Sequence, residues 1–184
     1  MSKFVKKVGN QDFYEIDGIR AAGIIPYYKK NDKVYILINQ EYRKSQLLYN
    51  VLGGKVDKKD IKIEDTMIRE FNEETGFLMS DKINFYYKNK KILNNKIHFS
   101  KPKYMLSLLN IQDSLEWQLL PYNYNKIFNG IEAFNDRDSE QLIWVDLFDF
   151  NDNMSYLLTI ILYKIRNCNI FRKYNTNKEL LFID

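Results

Sequence analysis

A mixed α/β (α+β) fold, one mixed sheet covered by helices, follows from three observations on the sequence. Apolar runs of strand length recur at Ile19 to Tyr28, Val34 to Tyr42, Tyr104 to Leu109 and Ser139 to Val145. The segment from Glu64 to Thr75 interrupts them with helical spacing, and Leu158, Ile161, Leu162 and Ile165 recur at three- and four-residue steps near the end. The order strands, helix, strands, helix puts helices against one sheet, with no repeat, low-complexity linker or second domain in residues 1–184.

Met1 to Asp17 is mixed and charged and reads as an N-terminal arm or short edge strand. The run from Ile19 to Tyr28, broken only by Arg20, has the composition of a strand buried on both faces, although Pro26 has no N–H to give to a ladder. Lys29-Lys30-Asn31-Asp32 is a turn, and Val34 to Tyr42 completes a hairpin. Arg43 to Asn50 leads through Val51-Leu52 to the Gly53-Gly54 pair, which delivers the helix from a strand end. Beyond Gly76, Ile83 to Leu93 predicts a strand around Phe85-Tyr86-Tyr87, turning at Asn94-Asn95 into a hairpin with Tyr104 to Leu109.

Asn110 to Asp138 carries Trp117, Pro121, Tyr122, Tyr124 and Phe128 and allows a short helix near Tyr124 to Phe134. Its aromatics are either a stacking lid or satellite core, and the tendency of aromatics to be buried favours the core. Ser139 to Val145 predicts another strand, followed by an acidic turn and a helix over 155–172 with Ser155 as N-cap. The tail from Lys173 is expected to dock Leu180-Leu181-Phe182.

At 184 residues with 45% hydrophobic and 28% charged content, the chain can bury one core and is not disordered as a whole. A net charge of +4 suits an anionic substrate but is too weak a signal to require nucleic acid. The single cysteine, Cys168, excludes an internal disulfide; its apolar setting suggests a buried helix position. With His98 as the one histidine, a multi-histidine zinc site is excluded. No segment approaches the roughly 18 apolar residues that a membrane span needs, and the start lacks a signal-peptide core, so a cytoplasmic protein with no membrane partner is expected.

Chemistry concentrates in the stretch from Gly53 to Phe77. On a helix, Glu70, Glu73 and Glu74 fall at i, i+3 and i+4 on one face, with Ile68, Phe71 and Thr75 broadly opposite. Three carboxylates so close repel one another unless neutralised, and a hard divalent cation with oxygen ligands does this. Gly76 stands where a helix C-cap belongs, with Phe77 turning back onto the core. A plain solvated acidic face would explain the carboxylates alone, but not the glycine pair, the Arg69-Glu70 dipeptide and the capping glycine together.

These residues resemble the Nudix box, G-x5-E-x7-R-E-U-x-E-E-x-G-U with U apolar: Gly54, Arg69, Glu70, Phe71, Glu73, Glu74, Gly76 and Phe77 match in order. The early acidic position departs, because the loop is one residue longer; Asp60 occupies it counting from Gly54, Ile61 counting back from Arg69. The resemblance implies an α/β/α Nudix sandwich, Mg²⁺ or Mn²⁺ as cofactor, and hydrolysis of a nucleoside diphosphate linked to another group. It implies Glu70, Glu73 and Glu74 as metal ligands, Glu73 or Glu74 assisting the nucleophilic water, and Arg69 as a structural clamp on Asp60, Asp57 or Glu64.

Gly53 and Gly54 would let the backbone approach substrate, Arg20 and Arg43 are candidate phosphate contacts, and Glu140 is a candidate extra ligand or general base from outside the box. The substrate class is a small nucleotide-type molecule, with two alternatives. The first is capped RNA, whose body would follow Lys88, Lys90, Lys91, Lys96, Lys101 and Lys103 on the predicted hairpin. The second is a Nudix-like binding or regulatory module without catalysis.

Overall fold

The computed structural model describes residues 3–8, 11–43, 46–89, 95–111, 114–128 and 141–174. The chain opens with a hairpin, β1 (Lys3–Val8) and β2 (Gln11–Glu15), in a small sheet of its own. The seven-stranded main sheet is built from β3 (Ala21–Lys30), β4 (Lys33–Arg43), β5 (Gln46–Asn50), β6 (Gly53–Lys55) and three later strands. Helices α1 (Ile63–Glu74) and α2 (Ser80–Lys88) intervene before β7 (Lys96–Phe99) and β8 (Tyr104–Asn110). Then come α3 (Leu115–Gln118), α4 (Leu120–Phe128), β9 (Gln141–Asp146) and α5 (Tyr156–Arg166), closed by a 3-10 turn at Arg172–Tyr174.

The main sheet is mixed: β3 runs parallel to β8, and the other pairs are antiparallel. Alternation on β4 shows how helices come to lie on both faces. Ile36 and Ile38 join the core under α5, whereas Leu37 joins the one under α1. Strand β3 behaves likewise, with Ile25 and Tyr27 on the α5 side and Ala22 and Ile24 on the α1 side. Its unbroken apolar run is the composition of a strand covered twice. Pro26 is accommodated because β6 pairs with β3 over residues 21–23 and β4 over 27–30, so the missing N–H falls where those antiparallel partners diverge.

Several expectations change. Ser80–Lys88 is a helix, so the strand expected from Ile83 and its hairpin with Tyr104 to Leu109 are not formed; the partner of β8 is β7. As a helix the aromatic run splits: Ile83 is buried, Tyr86 packs beside Trp117, and Phe85 faces solvent. Strand propensity of aromatics reflects fit to a half-buried pleat, and local packing overrode it. Met1 to Asp17 forms a hairpin over its described residues, more than an arm.

In the aromatic stretch Trp117, Pro121 and Tyr124 are buried, as core packing predicts; the helix expected from Tyr124 starts four residues earlier, at Leu120, and residues 129–134 of that expectation lie outside the described residues. The closing helix ends at Arg166, so Cys168 is half-buried just beyond it, donating its S–H to the Lys164 carbonyl. Ser155 caps α5, accepting from the Leu158 N–H at 3.1 Å. Asn94, Glu140 and the tail segment Leu180-Leu181-Phe182 lie outside the described residues. No described helix is long and apolar enough to cross a membrane.

Candidate active site

Helix α1 is fixed at both ends by its sequence. Before its first turn the Asp65 carboxylate accepts from the Ile61 and Lys62 N–H groups at 3.0 and 2.9 Å. At its end Gly76 takes φ +59°, the Gly76 N–H reaches the Glu73 carbonyl at 3.3 Å, and the Phe77 N–H reaches that of Asn72 at 2.8 Å. This paired closure, a Schellman motif, needs a residue at ease in the left-handed region. A Cβ on Gly76 would also meet the Phe128 ring. Phe77 does not return to the core as expected; it is 63% exposed, and Met67 and Phe71 provide the buried apolar face of α1.

On the other face Arg69 gathers the loop and the carboxylates. Its Nε and Nη2 donate to Asp60 Oδ1 and Oδ2 at 3.3 and 3.1 Å, and Nη2 also donates to the Lys55 carbonyl at 2.7 Å. Nη1 donates to Glu70 Oε1 at 2.7 Å and to Glu73 Oε2 at 3.0 Å. Of the three acidic candidates, Asp60 is therefore the one clamped. Asp57 instead accepts from the Lys59 N–H, and Glu64 pairs with Lys96. Asp60 is 5% exposed and also accepts from the Asp57 N–H and the Thr66 hydroxyl. Burial pushes its carboxyl up, but hydrogen bonds from Arg69, the Asp57 N–H and Thr66, together with the guanidinium charge, hold it below the usual carboxylate range.

Glu74 is the most deeply set of the three box carboxylates, at 6% exposure. Its Oε2 accepts from the Gly53 N–H at 2.6 Å and its Oε1 from Asn39 Nδ2 at 3.2 Å. The glycine pair is a matter of space. A Cβ on Gly54 would run into the Glu70 carboxylate, and one on Gly53 into the Tyr104 hydroxyl and the Ala22 carbonyl. What approaches the backbone here is the protein's own acidic and phenolic oxygen.

The remaining candidates are dispersed. Arg20 is held by Glu15 of β2 at 3.3 Å, and Lys103 reaches the same carboxylate at 3.2 Å. Arg43 ends β4 opposite Gln46. The basic hairpin expected from Lys88 to Lys103 is not assembled, because α2 replaces its first strand: Lys88 ends α2 and Lys96 lies on β7, while Lys90 and Lys91 fall outside the described residues. His98 is an exposed β7 residue.

Sequence reasoning missed Asn39 and Tyr104. Asn39 had a signal, a polar residue in register with Leu37 on a face that the strand pattern buries. Tyr104 had none beyond opening a strand.

The donor set suits a hard divalent cation, being all oxygen, carboxylate-rich and partly withdrawn from water. The carboxylates do not close on one point: among the described residues no three His, Cys, Asp or Glu side chains form a ready ligand cluster, as Glu70 and Glu73 turn toward Arg69. Glu70 and Glu73 would hold such an ion beside Glu74 by turning from Arg69, which keeps Asp60 as its partner.

The NUDIX domain family model matches residues 18–154, and the chain belongs to that family. Among solved structures it is similar to a C. elegans Ap4A hydrolase binary complex, at 19% identity over 79% of this chain and 95% of that chain, with TM-score 0.46. RenU, a Nudix hydrolase from M. smegmatis, shows 10% identity over 84% and 88% of the two chains with TM-score 0.44. Shewanella oneidensis NrtR shows 11% identity over 79% and 62% with TM-score 0.43. No curated protein matches the chain.

Proposed function

We propose that this chain hydrolyses the pyrophosphate linkage of a nucleoside diphosphate joined to another group, using Mg²⁺ or Mn²⁺ held by Glu70, Glu73 and Glu74. The observation that carries the reading is the Arg69 cluster, in which one guanidinium restrains Glu70 and Glu73 beside a buried Glu74 at the Gly53-Gly54 strand. A cation held there by Glu70, Glu73 and Glu74 would offset phosphate charge and favour ionisation of the attacking water.

The chain's own residues then divide the work. Glu74, restrained by the Gly53 N–H and Asn39, presents a fixed carboxylate. Glu73, 46% exposed at its side chain, is the better placed of the pair to take the proton of the attacking water. The water oxygen forms the new P–O bond as the bridging P–O bond breaks. Glu140 is a second candidate for that proton. Arg20 and Lys55 supply positive charge near β6 for the phosphates, Lys55 lying 5.1 Å from the Phe13 ring.

The test is product release in Mg²⁺ from nucleoside triphosphates, dinucleoside polyphosphates, ADP-ribose, nucleotide sugars and capped RNA. Turnover of at least one, lost by about 100-fold or more in Glu74→Gln, is expected. No turnover across the panel with metal bound would replace this reading with the binding module.

A further inference from the structure

We infer that the Tyr104 hydroxyl is a positioning group for Glu74, donating a hydrogen bond to that carboxylate when a divalent cation occupies the box. Tyr104 opens β8 beside β3, its ring packed against Phe99, and it is fully buried. Its hydroxyl has no hydrogen-bond partner among the described residues. A buried O–H without an acceptor is disfavoured, and a phenylalanine would fill the same apolar volume without that cost.

The surroundings say where an acceptor lies. The hydroxyl occupies the space that a Cβ on either Gly23 or Gly53 would take, so two strands leave out side chains around this one oxygen. The Leu52 carbonyl borders the Gly23 site and the Ala22 carbonyl the Gly53 site, yet neither accepts a hydrogen bond from the hydroxyl. Gly53 donates its N–H to Glu74 Oε2, so the hydroxyl and that carboxylate share one backbone neighbour. The same proximity is visible in the phenol itself, held well above its ordinary pKa by burial first and then by the negative charges of Glu74 and Glu70. With an ion held at Glu74, the phenol O–H would donate to the carboxylate that the Gly53 N–H and Asn39 already orient, and so hold it in place from a third side.

The inference rests on the proposed metal site, and Mn²⁺ binding to the purified protein, followed by the loss of free-ion paramagnetic signal, separates the two. Wild type should take up Mn²⁺. Tyr104→Phe, which keeps the ring, should bind it about tenfold more weakly, with a melting temperature in metal-free buffer equal to or above wild type. The double variant Tyr104→Phe/Glu74→Gln should bind no more weakly than Glu74→Gln alone. Equal Mn²⁺ affinity in wild type and Tyr104→Phe overturns the positioning role and leaves the metal site standing. So does a lowered metal-free melting temperature with unchanged affinity, the signature of a packing residue. No uptake by wild type removes the metal site and this role with it.

Discussion

Asp60 and Arg69 show how a single pair organises a site. Asp60 is nearly buried, and it is tolerable as an anion because Arg69, Thr66 and a backbone N–H surround it. Its folded pKa lies below the unfolded value of about 3.9, so its contribution to stability is whole above that value and drains away as pH falls through the folded one. Asp60→Asn should therefore cost about 3 kcal/mol at pH 7, the lower end for breaking a buried pair because Arg69 is partly exposed, with the gap to wild type closing below about pH 4. Urea unfolding across that range measures it; a gap unchanged at low pH would mean that Asp60 is not the titrating partner. The carboxylates and Arg69 were legible in the sequence because side chains at i, i+3 and i+4 must share a helical face. The choice of Asp60 over Asp57 was not, because it depends on how the loop folds back.

The box helix was readable to within a residue at each end, since its start and stop signals are local: an acidic first turn, then Gly76. Helix α2 was not, because Phe85-Tyr86-Tyr87 satisfies strand and helix patterns alike over so short a run, and its packing beside Trp117 decides. Gly76→Ala tests the local part. It forces a side chain into left-handed backbone and toward the Phe128 ring, and should lose more than about 1 kcal/mol; no change in chemical unfolding would mean that the turn relaxes freely. Ser155→Ala tests the far side of the sheet. Ser155 caps α5 and also donates to Asn50 Oδ1 at 2.8 Å, so the loss should reach about 2 kcal/mol, the upper end for a cap.

Across the whole molecule, the two-sided sheet was legible because strands covered twice carry unbroken apolar runs. Its branching, with β6 and β4 sharing one side of β3, was not, since pairing partners leave no mark within one strand. Ion occupancy is expected to act on the entire fold, as any ligand selective for the native state does. At a hundredfold excess over its dissociation constant, Mg²⁺ should add about 2.7 kcal/mol, seen as a higher melting temperature that chelation reverses, with turnover stopping and returning on the same schedule. Melting curves indifferent to Mg²⁺ would count against a site on α1.

The Arg69 side chain spans Lys55, Asp60, Glu70 and Glu73, and so ties both ends of the connection from β6 to α1 independently of what lies between. The exposed tip at Lys58 and Lys59 lies in a turn between the two moorings, closed by Asp57, whose carbonyl accepts from the Asp60 N–H at 3.1 Å and whose carboxylate accepts from the Lys59 N–H at 2.9 Å. Lengthening an exposed loop is inexpensive in chain entropy, about 0.6 kcal/mol for each doubling. The surplus residue in this box is thus a change that the architecture absorbs, and a further residue inserted between Lys58 and Lys59 should leave the geometry of α1 untouched.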